Sequence, residues 1–297
     1  MKGGDEIKRN NSWIITGASV KGAKHVRSDL PNQDAVGWEI KDGNLVAAVS
    51  DGHGSLKHFR SAIGSKLAVQ AALEVMLREV DVENLTTDAV KKIKSRVKEK
   101  LPQRVVNSWR DKVREHYQNN LFSLDVEAQT KLEQIEAEQG IKRRELIEDN
   151  YIKAYGATLL ITLVTDRFSL YFKLGDGEIT VLSDTKERLL TSGESLGPAT
   201  DSLCMSEAID KVKISVVPFS KERPLFIMLS TDGYINSFRS DEGYLKVIDD
   251  FIDLSLEHGI EYINHNLSDW LAETSRQGSG DDITLALIYH KDLLNEK

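Results

Sequence analysis

The sequence predicts an α+β fold in one domain, with strands at both ends of the chain and helices between them. Three observations carry this. Apolar, β-prone runs of strand length recur, among them Trp13–Val20, Leu45–Ser50, Leu225–Ser230 and Ile283–Tyr289. Between such runs the hydrophobic period changes to that of a helix, over Leu56–Glu79, Tyr244–His258 and Ile260–Arg276. Four of the strand ends carry an aspartate beside glycine, a pairing at home in turns and rare inside strands.

Taken in order, Met1–Asn11 is polar, lacks the apolar stretch of a secretory signal and reads as a loose start. Trp13–Val20 is the first strand. Lys21–Gln33, with Gly22, Pro31 and Asn32, reads as a loop carrying His25 and Arg27. Asp34–Ile40 is a second strand. Asp42-Gly43 is a tight-turn dipeptide between two apolar runs, and the hairpin it implies makes Leu45–Ser50 the strand that delivers Asp51. Over Leu56–Glu79, Phe59, Ile63, Leu67, Ala71 and Val75 recur at helical spacing. Thr86–Asn150 is charged and free of glycine until Gly140. It reads as an extended helical segment within the domain: two helices broken near Asn119-Asn120, forming a surface hairpin. Its charges, such as Lys131, Glu133, Glu136, Lys142, Arg143, Arg144 and Glu145, suit a solvated face, with partner docking as the alternative.

Strands return at Gly156-Ala157-Thr158, which opens an apolar run to Val164. Asp166-Arg167 turns the chain. Leu170, Phe172 and Leu174 then alternate with Ser169, Tyr171 and Lys173, the pattern of a half-buried antiparallel strand, up to Gly175-Asp176-Gly177. Glu178–Leu182 is a further strand. Leu190–Glu207, with Gly193, Gly197 and Pro198, reads as a mobile loop. Leu225–Ser230 ends at Thr231-Asp232-Gly233, Gly259 separates the two late helices, and Gly278–Asp282 leads into the last strand.

The 297 residues are 40% apolar and 29% charged, ample for a sizeable core without disulfides. A net charge of -8 and a pI near 5.5 argue against a nucleic-acid-binding surface and fit a carboxylate-rich site that a cation neutralises. The one cysteine, Cys204, excludes an internal disulfide framework and suits a reducing cytoplasm. No apolar run approaches membrane-spanning length.

The chemistry lies in the aspartates: Asp51-Gly52, Asp176 between two glycines, Asp232-Gly233, Gly280-Asp281-Asp282, and Asp34 at a strand start. Each alone is equally a turn, and five could be scattered over the surface. If strands bring them to one edge, they cannot sit together unpaired, because close carboxylates repel and take up protons unless cations neutralise them. An oxygen-rich set without cysteine points to Mg(II) or Mn(II) rather than zinc. Two such ions about 4 Å apart can turn a shared water into a nucleophile for a phosphate ester.

These segments resemble the metal-dependent Ser/Thr protein phosphatases of type 2C, the PPM family. The matching pieces are Pro31-Asn32-Gln33-Asp34-Ala35, Asp51-Gly52-His53-Gly54, Gly156-Ala157-Thr158, Gly175-Asp176-Gly177, Ser230-Thr231-Asp232-Gly233 and Gly280-Asp281-Asp282-Ile283-Thr284, in family order over Trp13 to Tyr289. The loop from Gly22 to Asp34 is similar to a bacterial branch. The resemblance implies a four-layer αββα sandwich of two antiparallel β-sheets flanked by helices. It implies that Asp51 bridges two metals, that the Gly52 carbonyl binds one, and that Asp232 and Asp281 bind the second. It gives Asp34 the metal-bound waters, Asp176 a third, weaker ion, and His53 the protonation of the leaving alkoxide. The Leu190–Glu207 loop would lie beside the cleft and influence substrate choice. The implied activity is hydrolysis of phosphoserine and phosphothreonine by metal-activated water without a phosphoenzyme, on a phosphorylated protein supplied by a cognate Ser/Thr kinase.

Two departures stand out. Gln33 occupies a position where many members have glutamate; its amide can still hold water but lends no charge. The arginine that grips phosphate in many members is displaced: Asp29 falls at the simple spacing, Arg27 is the substitute and His25 the second choice. Arg27 reads equally as a solvent-exposed loop cation. Asp282 reads as a supporting carboxylate or turn cap, and His58, His116, His258, His265 and His290 as structural. The departures motivate an alternative from another class, a non-catalytic phosphatase-like scaffold that binds a phosphoprotein or kinase; the intact aspartates count against it. A metal-dependent nuclease fits the acidic cluster but lacks the basic surface.

Overall fold

The computed structural model of the chain describes residues 6–79, 87–140, 142, 145–146, 150–184, 188–190 and 200–294. In order, these form β1 (Lys8–Arg9), β2 (Trp13–Val20), α1 (Ala23–Arg27), β3 (Ala35–Lys41), β4 (Asn44–Ser50), α2 (Ser61–Glu79), α3 (Thr87–Asn119) and α4 (Val126–Gln139). There follow β5 (Leu159–Val164), β6 (Phe168–Leu174), β7 (Glu178–Ser183), β8 (Arg188–Leu190), α5 (Ala208–Lys211), β9 (Lys213–Pro218) and β10 (Pro224–Ser230). The chain closes with α6 (Asp232–Ile235), α7 (Asp241–His258), α8 (Ile260–Gln277), β11 (Ile283–His290) and α9 (Lys291–Leu294).

The strands make a six-stranded sheet, β1-β2-β11-β10-β7-β8, and a five-stranded sheet, β3-β4-β5-β6-β9, with every pairing antiparallel. The period of two decides which side chain goes where. On β4, Leu45, Ala47 and Val49 face Ile15, Ile227, Leu229 and Ile288 of the other sheet. Their neighbours Val46 and Ala48 face the other way, onto α2, α3 and α4 through Ala68, Ala72, Val105, Trp109 and Leu132. The outer face of the six-stranded sheet packs Phe226, Met228, Leu285 and Leu287 against Tyr244, Ile248, Ile263 and Leu267 of α7 and α8. Three apolar layers thus separate four structural layers, the expected αββα sandwich.

Burial on both faces corrects one reading. β6 is buried along its whole length, Ser169, Tyr171 and Lys173 included, because helices cover one face of its sheet and the second sheet covers the other. Lys173 is accommodated by an ion pair with the equally buried Glu178, 2.9 Å away. The hairpin of α3 and α4 is likewise less superficial than its charge suggests: Val105, Trp109, Val113, Leu132 and Ile135 are fully buried in the core. The break at Asn119 falls where the sequence put it. Lys8–Arg9, placed in the loose start, pairs with Ile14 and Ile15. The Lys21–Gln33 loop contains α1, whose first amides donate to Ser275 Oγ and the Gly280 carbonyl. Helix α2 is preceded by a 3-10 turn, Leu56–His58, instead of one continuous run from Leu56. β8, α5 and β9 were not legible beforehand. Met1–Asp5, Thr86, Arg143, Arg144 and residues 191–199 of the expected mobile loop lie outside the described residues.

The turn at Asp42-Gly43 has positive φ at both positions, 51° and 78°. That is the backbone a two-residue hairpin needs to match strand twist, and it fixes the register Lys41↔Asn44 through Ala35↔Ser50. Asp34 and Asp51 therefore emerge side by side at one edge.

Candidate metal centre

Antiparallel pairing gathers the predicted carboxylates. The end of β4 (Asp51) lies beside the start of β3 (Asp34) in one sheet, and the end of β10 (Asp232) beside the start of β11 (Asp281, Asp282) in the other. The turn from β6 to β7, which carries Asp176, joins the two sheets at the same edge. Oxygens of Asp51, Asp176 and Asp232 all lie within 4.8 Å of one another. Asp34 is buried behind them, with Oδ2 accepting from Thr231 Oγ1 at 2.8 Å. Asp281 stands at the rim, its side chain half exposed.

The electrostatics follow. Burial, and then the Asp282 charge, push the Asp34 carboxyl up to about 8. Burial and the Asp34, Asp232 and Asp176 charges raise Asp51 well above the usual carboxylate range. Burial raises Asp232 too, with Asp176 and Asp281 adding to it. Such a cluster is costly as anions and is relieved by hard cations.

Unused acceptors point the same way. Asp176 Oδ2 accepts from Thr200 Oγ1 at 2.5 Å, but Oδ1 is buried with no donor among the described residues; Gln33 Oε1 is in the same position. The Gly52 N–H donates to the Gln33 carbonyl, while the Gln33 N–H goes to Asp282 Oδ2 instead of back to Gly52. The Gly52 carbonyl thus accepts no hydrogen bond among the described residues. Oxygen donors without partners at a carboxylate cluster fit a Mg(II) or Mn(II) site.

The family description "Protein phosphatase 2C" matches residues 21–272. The chain belongs to the protein phosphatase 2C family. Its members are metal-dependent, and this chain is a protein serine/threonine phosphatase with phosphoproteins as substrates. No curated protein matches the sequence. Among solved structures, the S. agalactiae serine/threonine phosphatase aligns with a TM-score of 0.57 at 15% identity, over 93% of this chain and 99% of that one. Stp1 from Staphylococcus aureus aligns at 0.55 and 13% identity, over 97% of each. The catalytic domain of PstP, solved with two manganese ions, aligns at 0.51 and 17% identity, over 94% and 98%. At these identities the likeness is one of fold.

The protein phosphatase 2C fold places the remaining candidates unequally. His53 follows the Asp51-Gly52 turn; its N–H donates to the Gly156 carbonyl, and its ring lies 4.9 Å from that of His58. Burial, and then the Lys57 charge, hold its imidazole down to about 4. Arg27 is exposed at the end of α1 and has no hydrogen-bond or ion-pair partner among the described residues. His25 is buried, with Nδ1 donating to Asp282 Oδ2 at 2.8 Å and Nε2 3.9 Å from Asp281 Oδ1. It thus braces the carboxylates and is poorly placed to meet substrate.

Asp282 holds three groups at once: its oxygens also accept from the N–H of Gly22 and of Gln33. That is the supporting role expected of it. The threonines were missed. Thr158 Oγ1 accepts from the Asp51 N–H, and Thr231 Oγ1 donates to Asp34 while accepting from the Thr284 N–H. The signal was present in Gly156-Ala157-Thr158, Ser230-Thr231-Asp232 and Ile283-Thr284, where a hydroxyl stands one residue from a carboxylate or strand end. His58, whose Nδ1 meets the Lys153 carbonyl, and His116, against the Tyr155 hydroxyl, have the structural places expected.

Proposed function

We propose that this chain hydrolyses phosphoserine and phosphothreonine esters at the Asp51–Asp176–Asp232 cluster. The observation that carries the reading is the convergence of these three carboxylates, from three strand ends, to within 4.8 Å. Asp51 and the Gly52 carbonyl would hold one divalent ion, Mg(II) or Mn(II). Asp51, Asp232 and Asp281 would hold a second, and Asp176 a third. When bound, the ions neutralise the cluster and supply a water acidic enough to attack phosphorus. Asp34, buried and braced by Thr231, orients water around them.

His53 donates the proton that the departing serine or threonine oxygen requires. In the free protein the imidazole is neutral at pH 7. An arriving phosphate dianion favours the imidazolium and so prepares the donor. Arg27, free and exposed, is the cation available to pair with the phosphate oxygens. The single thiol suits a reducing cytoplasm, and a serine/threonine kinase supplies the substrate.

Asp232→Asn is the test. It keeps the shape of the side chain and removes one ligand charge. Metal-dependent release of phosphate from a phosphopeptide should fall by more than about 100-fold, since even indirect partners of a ligand cost 10- to 100-fold. Undiminished turnover would refute the assignment. Tight metal binding by the native protein without phosphate release would identify a phosphatase-like scaffold.

A further inference from the structure

A cleft of about 1030 Å³ opens beside the carboxylate cluster. His53 and Gly54 form its inner end. The turns 54–58 and 150–153 make one wall, and Arg110 with residues 200–207 makes the other. Its volume reaches the upper end for small-molecule pockets, about 1000 Å³, and suits several residues of extended peptide.

Its charge is opposite to that of the chain. The protein carries -8 overall, yet the cleft lining presents Lys57, Arg110 and Lys153 against the single carboxylate of Glu207. Lys57 and Lys153 are exposed and have no ion-pair partner among the described residues. The Arg110 guanidinium donates to the Met205 carbonyl at 2.7 Å, which fixes a positive charge on the far wall without neutralising it. Glu207 is turned to the Ser206 hydroxyl, 2.7 Å away.

We propose that this cleft seats the peptide flanking the phosphorylated residue, and that Lys57, Lys153 and Arg110 select segments rich in aspartate and glutamate. The inference rests on the phosphatase reading of the carboxylate cluster and adds a substrate preference to it. Acidic residues a few positions from the phosphoester would lie against the two lysines while the phosphate enters the metal centre. An acidic substrate would otherwise be repelled by so anionic a protein, so the local reversal of sign also steers its approach.

The experiment compares kcat/KM for phosphoserine peptides of equal length whose flanking residues are glutamate, alanine or lysine. An aryl phosphate without any peptide serves as reference, all with manganese present. The acidic series should exceed the alanine series by roughly two- to five-fold for each well-placed charge, as exposed ion pairs do. The lysine series should fall below it, and added salt should compress the spread. In the Lys57→Glu/Lys153→Glu double variant the order should invert. Equal rates across the three peptides, a preference for lysine in the native protein, or an unchanged order in the double variant would overturn the proposal. Failure of the native protein to hydrolyse even the aryl phosphate would instead count against the phosphatase reading itself.

Discussion

Gly52 and His53 show how much the centre depends on single positions. A Cβ on Gly52 would lie 2.5 Å from the Gln33 carbonyl oxygen and 2.8 Å from that of Ser61, so only glycine lets the chain pass between the approach to β3 and the first residue of α2. That close passage holds the Gly52 carbonyl beside Asp51. The tandem Asp-Gly was plain in the sequence; the walls that demand glycine came from residues 33 and 61 and were not. His53 yields a prediction of its own. If it protonates the leaving oxygen, His53→Gln should lower the rate on phosphoserine peptides by about 100-fold. The same variant should lose little on a nitrophenyl phosphate, whose leaving group departs as a stable anion. Steady-state rates on the two substrates decide the matter, and an equal loss on both would remove His53 from the proton transfer. Spacing ranked Arg27 ahead of His25 as the phosphate ligand but left both in play. Burial of His25 against Asp282 separates them, since a histidine engaged at 2.8 Å by a carboxylate is occupied.

At the scale of elements, α2 ties the helical layer to the centre. Gly64 is its closest approach to the turn Tyr151–Tyr155: a Cβ there would fall 1.9 Å from the Tyr155 carbonyl oxygen. The same glycine's carbonyl accepts from Trp109 Nε1 at 3.0 Å, which pins α3. Gly64→Ala must push α2 from the segment that leads into Gly156 and Ala157, the residue bridged to Gly52. The expected cost is roughly 1–3 kcal/mol of unfolding free energy, read by urea titration, despite alanine's better helix propensity. A stabilised variant would show that the contact is softer than its geometry. Helix periods made α2, α7 and α8 legible, and Gly259, at φ 85°, stops one helix and starts the next as read. The strand Lys213–Pro218 escaped notice because it is an edge strand, largely polar or half-buried, with no clean alternation to announce it.

For the molecule as a whole, the carboxylate cluster sets a conflict between stability and function. Asp34, held up at about 8 against an ordinary 3.8, keeps a proton in the folded state that the unfolded chain gives up. Without metal, stability therefore falls as pH rises through this window, by about 1.4 kcal/mol per pH unit for one such group. His53 and His58, held down to about 4, act oppositely: their contribution is full above an ordinary 6.5 and is lost as pH falls below it. In chelator, the melting temperature should rise by several degrees as pH drops from 8 to 6.5, and rise less steeply or level off on further acidification, where the two histidines oppose the carboxylates. Asp34→Asn should flatten the upper limb. Manganese at a hundredfold excess over its Kd should stabilise the native protein by about 2.7 kcal/mol and invert the trend above pH 6.5, which calorimetry can follow. A melting temperature insensitive to pH and to metal would contradict the picture of a buried anionic cluster.

The sequence by itself determined the principal strands and helices and the chemistry at their ends: local period, Asp-Gly turns and Gly259 act over a few residues, and those interactions do not wait for the rest of the chain. Tertiary structure alone decided the company each carboxylate keeps. Packing two antiparallel sheets face to face brought residues 51, 176 and 232 within 4.8 Å, left Asp281 at the rim and turned Asp282 inward as a brace. Such distances depend on which strand lies beside which, and no spacing along the chain encodes that.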